Sequence, residues 1–103
     1  METQTQSLAI AKEILNQIRC LDRSALMAWG ARNFIALPES KEFQGGVRFT
    51  VNGLTHQGFV TVELRYADDY TVSFISKAGE LVHSVERVYC DMLVDIIDYV
   101  EGK

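Results

Sequence analysis

The chain has 103 residues, of which 48% are hydrophobic and 23% charged, and its formal charge is −4. That length fits one domain around one core, and the composition is too apolar and too weakly charged for a disordered segment. The charge is uneven, +1 over residues 1–65 and −5 over residues 66–103, so the last third is acidic and the chain lacks the basic stripe that grips a phosphate backbone.

The first six residues show neither the basic start nor the apolar run of a signal peptide. No apolar stretch reaches the roughly 18 residues needed to cross a membrane. Two cysteines, Cys20 and Cys90, do not make a disulfide framework. The expectation from these features is a protein of a reducing cytoplasm.

Ser7 to Leu21 has helical period. Ala11, Ile14, Leu15 and Ile18 recur at i, i+3, i+4 and i+7, and Leu8 and Leu21 extend the stripe. Asp22 is placed to accept from the free backbone donors of a second, short helix at Ser24 or Ala25. Gly30 is placed to end that helix, since it tolerates left-handed backbone. Trp29, between two apolar elements, reads as core.

From Arg32 the period changes to two. Arg32–Leu37 reads as a strand ending at Pro38, followed by a polar loop to Gly45-Gly46. Val47, Phe49 and Val51 alternate with polar residues. Asn52-Gly53 is a hairpin signal through a primed turn with positive φ, although the loop could run on to Gly58. Val60, Val62 and Leu64 make the next apolar face, and Tyr70, Val72 and Phe74 another after a turn at Ala67-Asp68-Asp69. Lys77-Ala78-Gly79 turns again into a strand at Leu81–Val85.

The spacing predicts a closing helix over residues 86–100, with Tyr89, Met92, Leu93, Ile96 and Val100 on its apolar face. Asp91, Asp95 and Asp98 fall at i, i+4 and i+7 on the other side, continued by Glu101 and ended by Gly102. The expected fold class is therefore α+β: a meander of four to five antiparallel strands with the N-terminal and C-terminal helices packed on one face. The second face is left to solvent, with Arg48, Thr50, Thr61, Glu63, Arg65, Thr71 and Ser73.

Three phrases resemble a family of small uncharacterised proteins encoded by bacteriophages, plasmids and other mobile elements. The first is Leu26 to Leu37, which is similar to the family's Met-x-Gly-Ala-Lys-Asn-Phe phrase after a helix. The others are Asp69-Tyr70-Thr71-Val72-Ser73-Phe74 and Val88-Tyr89-Cys90-Asp91-Met92-Leu93. Order and spacing agree from about residue 10 to residue 100. Trp29 stands where a small polar residue is usual, and Cys90 replaces an alanine. The resemblance implies an accessory gene of a mobile element; it carries no activity or catalytic residue across.

Little in the chain points to catalysis, cofactors or metals. Cys20, His56, His83 and Cys90 form no C-x-x-C or H-x-x-x-H pair, and they read as two buried thiols and two surface imidazoles. A Cys90–His83 dyad would need a third orienting group, and Cys90 neighbours the apolar face of the closing helix; Gly45-Gly46 lacks the Lys-Ser/Thr of a phosphate loop. The chain reads as a non-enzymatic binder, with inhibition of a host defence system as one task that would suit it. The acidic row Asp91, Asp95, Asp98 and Glu101 is the candidate surface for a basic protein partner, since acidic residues near a helix C-terminus act against the macrodipole. Arg48, Phe59 and Arg65 on the open sheet face are the alternative, a platform for single-stranded nucleic acid. Edge strands at Arg32–Leu37 and Leu81–Val85 also allow pairing into a homo-oligomer.

Overall fold

The computed structural model describes the backbone from Glu2 to Gly102; the side chains of residues 1–7, 101 and 103, including the Glu101 carboxylate, lie outside the description. Helix α1 runs Glu2–Leu21 and α2 runs Ala25–Ala28. Five strands follow: β1 Arg32–Leu37, β2 Phe43–Asn52, β3 Gln57–Arg65, β4 Tyr70–Ser76 and β5 Leu81–Val88. A 3-10 turn at Cys90–Met92, helix α3 at Leu93–Ile97 and a 3-10 turn at Asp98–Glu101 close the chain. No described helix is long and apolar enough to cross a membrane.

The strands form an open antiparallel sheet in the order β1-β2-β3-β4-β5, the meander that alternating strands and short turns favour. Val47, Val62, Val72 and Val85 lie side by side across four strands, with Phe49, Val60, Phe74 and His83 in the next row. Val47, Phe49, Val60, Val62, Val72 and Phe74 are all at most 1% exposed. Each such side chain contributes about 1.5–3 kcal/mol by leaving water. Ala11, Ile14 and Ile18 of α1 and Leu93, Ile97 and Val100 of the closing segment complete the same cluster. Both terminal helical segments therefore cover one face. On the other face, Ile35, Arg48, Thr61, Ser73 and Ser84 form the corresponding row.

Local signals explain the first turns. Asp22 Oδ1 accepts from the Ser24 amide at 3.0 Å, and Gly30 takes φ +65 where α2 ends. The apolar stripe of α1 is buried only along its middle, because Leu8 and Leu21 remain exposed. Trp29 is fully buried, stacked nearly parallel to Phe49 with centroids 6.5 Å apart.

Three expectations require correction. Strand β2 begins at Phe43 rather than after Gly46, because a bulge at Gln44 lets Gly45 and Gly46 join the ladder to β3. The Asn52-Gly53 pair does not make a primed turn: neither residue has positive φ, and the connection is the longer loop Gly53–His56. Glycine is required at residue 53 because a Cβ there would lie 2.1 Å from the Val100 carbonyl oxygen. That carbonyl accepts from the amides of Thr55 at 2.9 Å and His56 at 3.4 Å, so the hairpin loop holds the end of the chain.

The third correction concerns residues 86–100. Strand β5 continues to Val88, and the helical segment starts only at Cys90 and is split into 3-10, α and 3-10 pieces. Arg87 has φ +58 and is the extra residue of a bulge, so Val85 pairs with Val72 while Val88 pairs with Tyr70. The bulge places two core valines three residues apart, a spacing that imitates a helix. Ile97, outside the expected apolar face, is fully buried, whereas Tyr89 and Met92 are exposed.

Candidate functional site

Both thiols and His56 reverse their expected positions, whereas His83 is at the surface as expected. Cys20 and Cys90 are both exposed. His56 is buried, with its ring edge-on to Phe74 and Nε2 3.2 Å from the Phe59 carbonyl oxygen. A carbonyl only accepts, so Nε2 carries the proton and His56 serves as a core hydrogen-bond donor. His83 lies exposed on β5 with its ring stacked near Phe74. Among the described residues, no group of three or more His, Cys, Asp and Glu side chains is placed to hold a metal ion.

The acidic row is broken by packing. Asp91 and Asp95 are exposed, but Asp98 is half-buried and its Oδ1 accepts from Trp29 Nε1 at 2.9 Å. A buried indole N–H needs an acceptor, and the carboxylate that supplies it leaves the solvent-facing set. The sequence periodicity held no sign of this, since the partner lies 69 residues away.

Asp91 instead joins a groove between the end of α1 and the start of the closing segment. Its cavity is about 290 Å³, lined by Glu13, Gln17, Cys20, Leu21, Cys90 and Asp91 together with Asn16. Gln17 anchors one wall: its Nε2 donates to Glu13 Oε1 at 3.3 Å, and its Oε1 accepts from the Tyr70 hydroxyl at 2.8 Å. Burial pushes the Tyr70 hydroxyl above its ordinary value, the Gln17 bond opposes this, and negative charge on Cys90 and Glu13 adds to the rise. Exposed Leu21 and Met92 belong to the same two segments, and exposed Tyr89 immediately precedes the second. The groove thus combines thiol and aliphatic surface with two carboxylates. Helix geometry offers a clue to Cys20: two residues past Ile18 turns it about 200° from that buried position.

On the uncovered sheet face, the Arg48 guanidinium lies 4.2 Å over the Phe59 ring, and Arg48 Nε is buried without a hydrogen-bond partner. A neighbouring cavity of about 270 Å³ is lined by Arg32, Phe59 and Lys77 among others. Arg65 is separate from this cluster. Its Nε lies 3.3 Å from Asp69 Oδ1, too poorly aligned for a hydrogen bond, so the contact is an ion pair. Arg65 also lines a cavity of about 420 Å³ with Glu42, Tyr66, Glu86 and Arg87. Glu63 is half-buried on this face, and burial, then the charge of Glu42, raises its carboxyl above the usual carboxylate value. The structure therefore joins Arg48 to Phe59 and leaves Arg65 in mixed-charge surroundings.

Searches against protein-family models, curated proteins and solved structures find no match to this chain.

Proposed function

We propose that this chain is a non-enzymatic binding protein whose groove between α1 and the closing segment receives a basic, amphipathic segment of another protein. The groove carries the reading: carboxylates of Glu13 and Asp91 beside Leu21 and two exposed thiols suit a partner with alternating cationic and apolar residues. The exposed Asp95 and the −5 of the last third add a field of the same sign. Lys12 and Arg19 line an adjoining depression on α1 that shares Glu13 and Asn16 with the groove, so these two cations flank one of its carboxylates. The resemblance to mobile-element proteins supports a partner in the host cell, with inhibition of a defence system as the task.

A photo-crosslinking residue at Asn16, which lines the groove, tests the reading in host lysate. The expected result is a crosslinked host protein that is lost in the Glu13→Lys/Asp91→Lys variant and retained in Ser73→Ala on the sheet face. Equal crosslinking by the charge-reversed variant would remove the groove from consideration.

A second reading is favoured by one observation, the Arg48–Phe59 stack beside Arg32 and Lys77. It makes the uncovered face a single-strand nucleic-acid platform, where an aromatic ring stacks a base and the cations follow the backbone. Glu63 on the same face and the chain's net charge oppose it. A labelled oligonucleotide that binds at low salt and dissociates at moderate salt would move the assignment to this face.

A further inference from the structure

Cys20 lies at the end of α1 and Cys90 opens the closing segment, 70 positions later in the chain. Both thiols are exposed and unpaired, and both line the same groove. They stand around one ordered side chain: Gln17, one turn before Cys20, is held by Tyr70 at 2.8 Å and by Glu13 at 3.3 Å. Neither thiol belongs to the apolar core, so core packing gives neither a role. Exposed thiols are also the ones open to exchange.

We propose that Cys20 and Cys90 form a reactive dithiol, a modification site at which a low-molecular-weight disulfide closes an intramolecular bridge across the groove. In the first step one protein thiolate attacks a sulfur of the small disulfide, whose S–S bond breaks and releases one small thiol. A mixed protein disulfide remains. The second protein thiolate attacks the protein sulfur of that mixed disulfide, forming the Cys20–Cys90 bond and releasing the second small thiol. The two protein thiol protons end on the two small thiols; the protein is oxidised by two electrons and the small disulfide is reduced. The bridge needs no other component and stands whatever occupies the groove. It would tie the end of α1 to the start of the closing segment and narrow the groove between them.

A bridge requires the two Cα atoms to come within roughly 7 Å, which intact-mass measurement tests directly. The reduced full chain is incubated with oxidised glutathione and its mass read over time. The expected product is a monomer lighter by two hydrogens, formed through a transient single adduct. Its Tm should rise, by roughly 10 °C or more for an unstrained bridge closing a loop of this length. Cys20→Ser and Cys90→Ser should each stop at one stable glutathione adduct. Wild-type protein that accumulates two adducts, links into dimers or stays unmodified overturns the proposal. Persistence of the hydrogen loss in either single variant also overturns it.

Discussion

The two faces of the sheet are built from the same strands, yet they are buried by different means. On the covered face Val47, Val62 and Val72 lie beneath the terminal helical segments, and none exceeds 1% exposure. On the other face Thr61 and Thr71 are also buried, at 7% and 8%, although the buried side chains of the described helices belong to the cluster on the opposite face. Their own neighbours shield them: Arg48 folds over Phe59, and Glu63 is half-buried beside them. Shielding by long side chains excludes water from a small residue without an apolar lid. The lesson is that burial alone does not mark a core here; apolar packing from a second layer does.

The largest test of that contrast is a pair of truncations at adjacent positions of β4. Phe74 is fully buried and touches the rings of His56 and Tyr99, whereas Ser73 points to the uncovered face. Phe74→Ala is expected to lower unfolding stability by about 3–5 kcal/mol, from lost transfer energy and the cavity left behind. Ser73→Ala should change it by no more than about 0.5 kcal/mol. Urea titration of both variants checks the pair. A Ser73→Ala cost comparable to that of Phe74→Ala would mean that the second face is covered in solution, and concentration-dependent stability would then identify a second copy as the cover.

Edge pairing is disfavoured by the backbone. Asn33 in β1 and Arg87 in β5 both have φ of +58, and the register shifts at each. Bulges of this kind twist an edge away from a regular ladder. The same bulges limited what the sequence could show. Where strands pair without interruption, as in β3 with β4, alternation was a direct guide to which residues face the core. At Val85–Val88 one extra residue converted period two into an apparent helical spacing, and three residues of strand read as helix. The Asn52-Gly53 signal was informative about a connection but not about its cause, since Val100 determines the need for glycine. Long-range contacts of that kind have no local period. For the candidate site, Asp91 was legible from its spacing, but the removal of Asp98 by Trp29 and the exposure of both thiols depended on how two distant segments meet.

An intermediate effect is expected where the covered face contains its polar contact. Asp98→Ala leaves the Trp29 Nε1–H buried without an acceptor, a loss of about 1–3 kcal/mol. Asp98→Asn keeps an oxygen in place and should recover most of that stability. Trp29 fluorescence followed through urea unfolding measures both. If the two variants were equally destabilised, the carboxylate charge rather than its acceptor oxygen would be the stabilising element.

The smallest effect belongs to Glu63 on the uncovered face, where its sign is informative. Burial and then the charge of Glu42 raise its carboxyl in the folded protein above its unfolded value. The folded state therefore holds this proton more tightly than the unfolded chain does. The stabilising contribution is full below the unfolded pKa and is lost as pH rises through the raised folded pKa. At neutral pH the ionised carboxylate opposes folding, weakly, because solvent still reaches it. Glu63→Gln is thus expected to raise the Tm slightly at pH 7 and to leave it nearly unchanged well below the unfolded pKa. Thermal unfolding across that acid-to-neutral range checks it. A variant less stable than the parent at pH 7 would show that the carboxylate is held by favourable contacts, with Arg48 on the same face the first cation to examine.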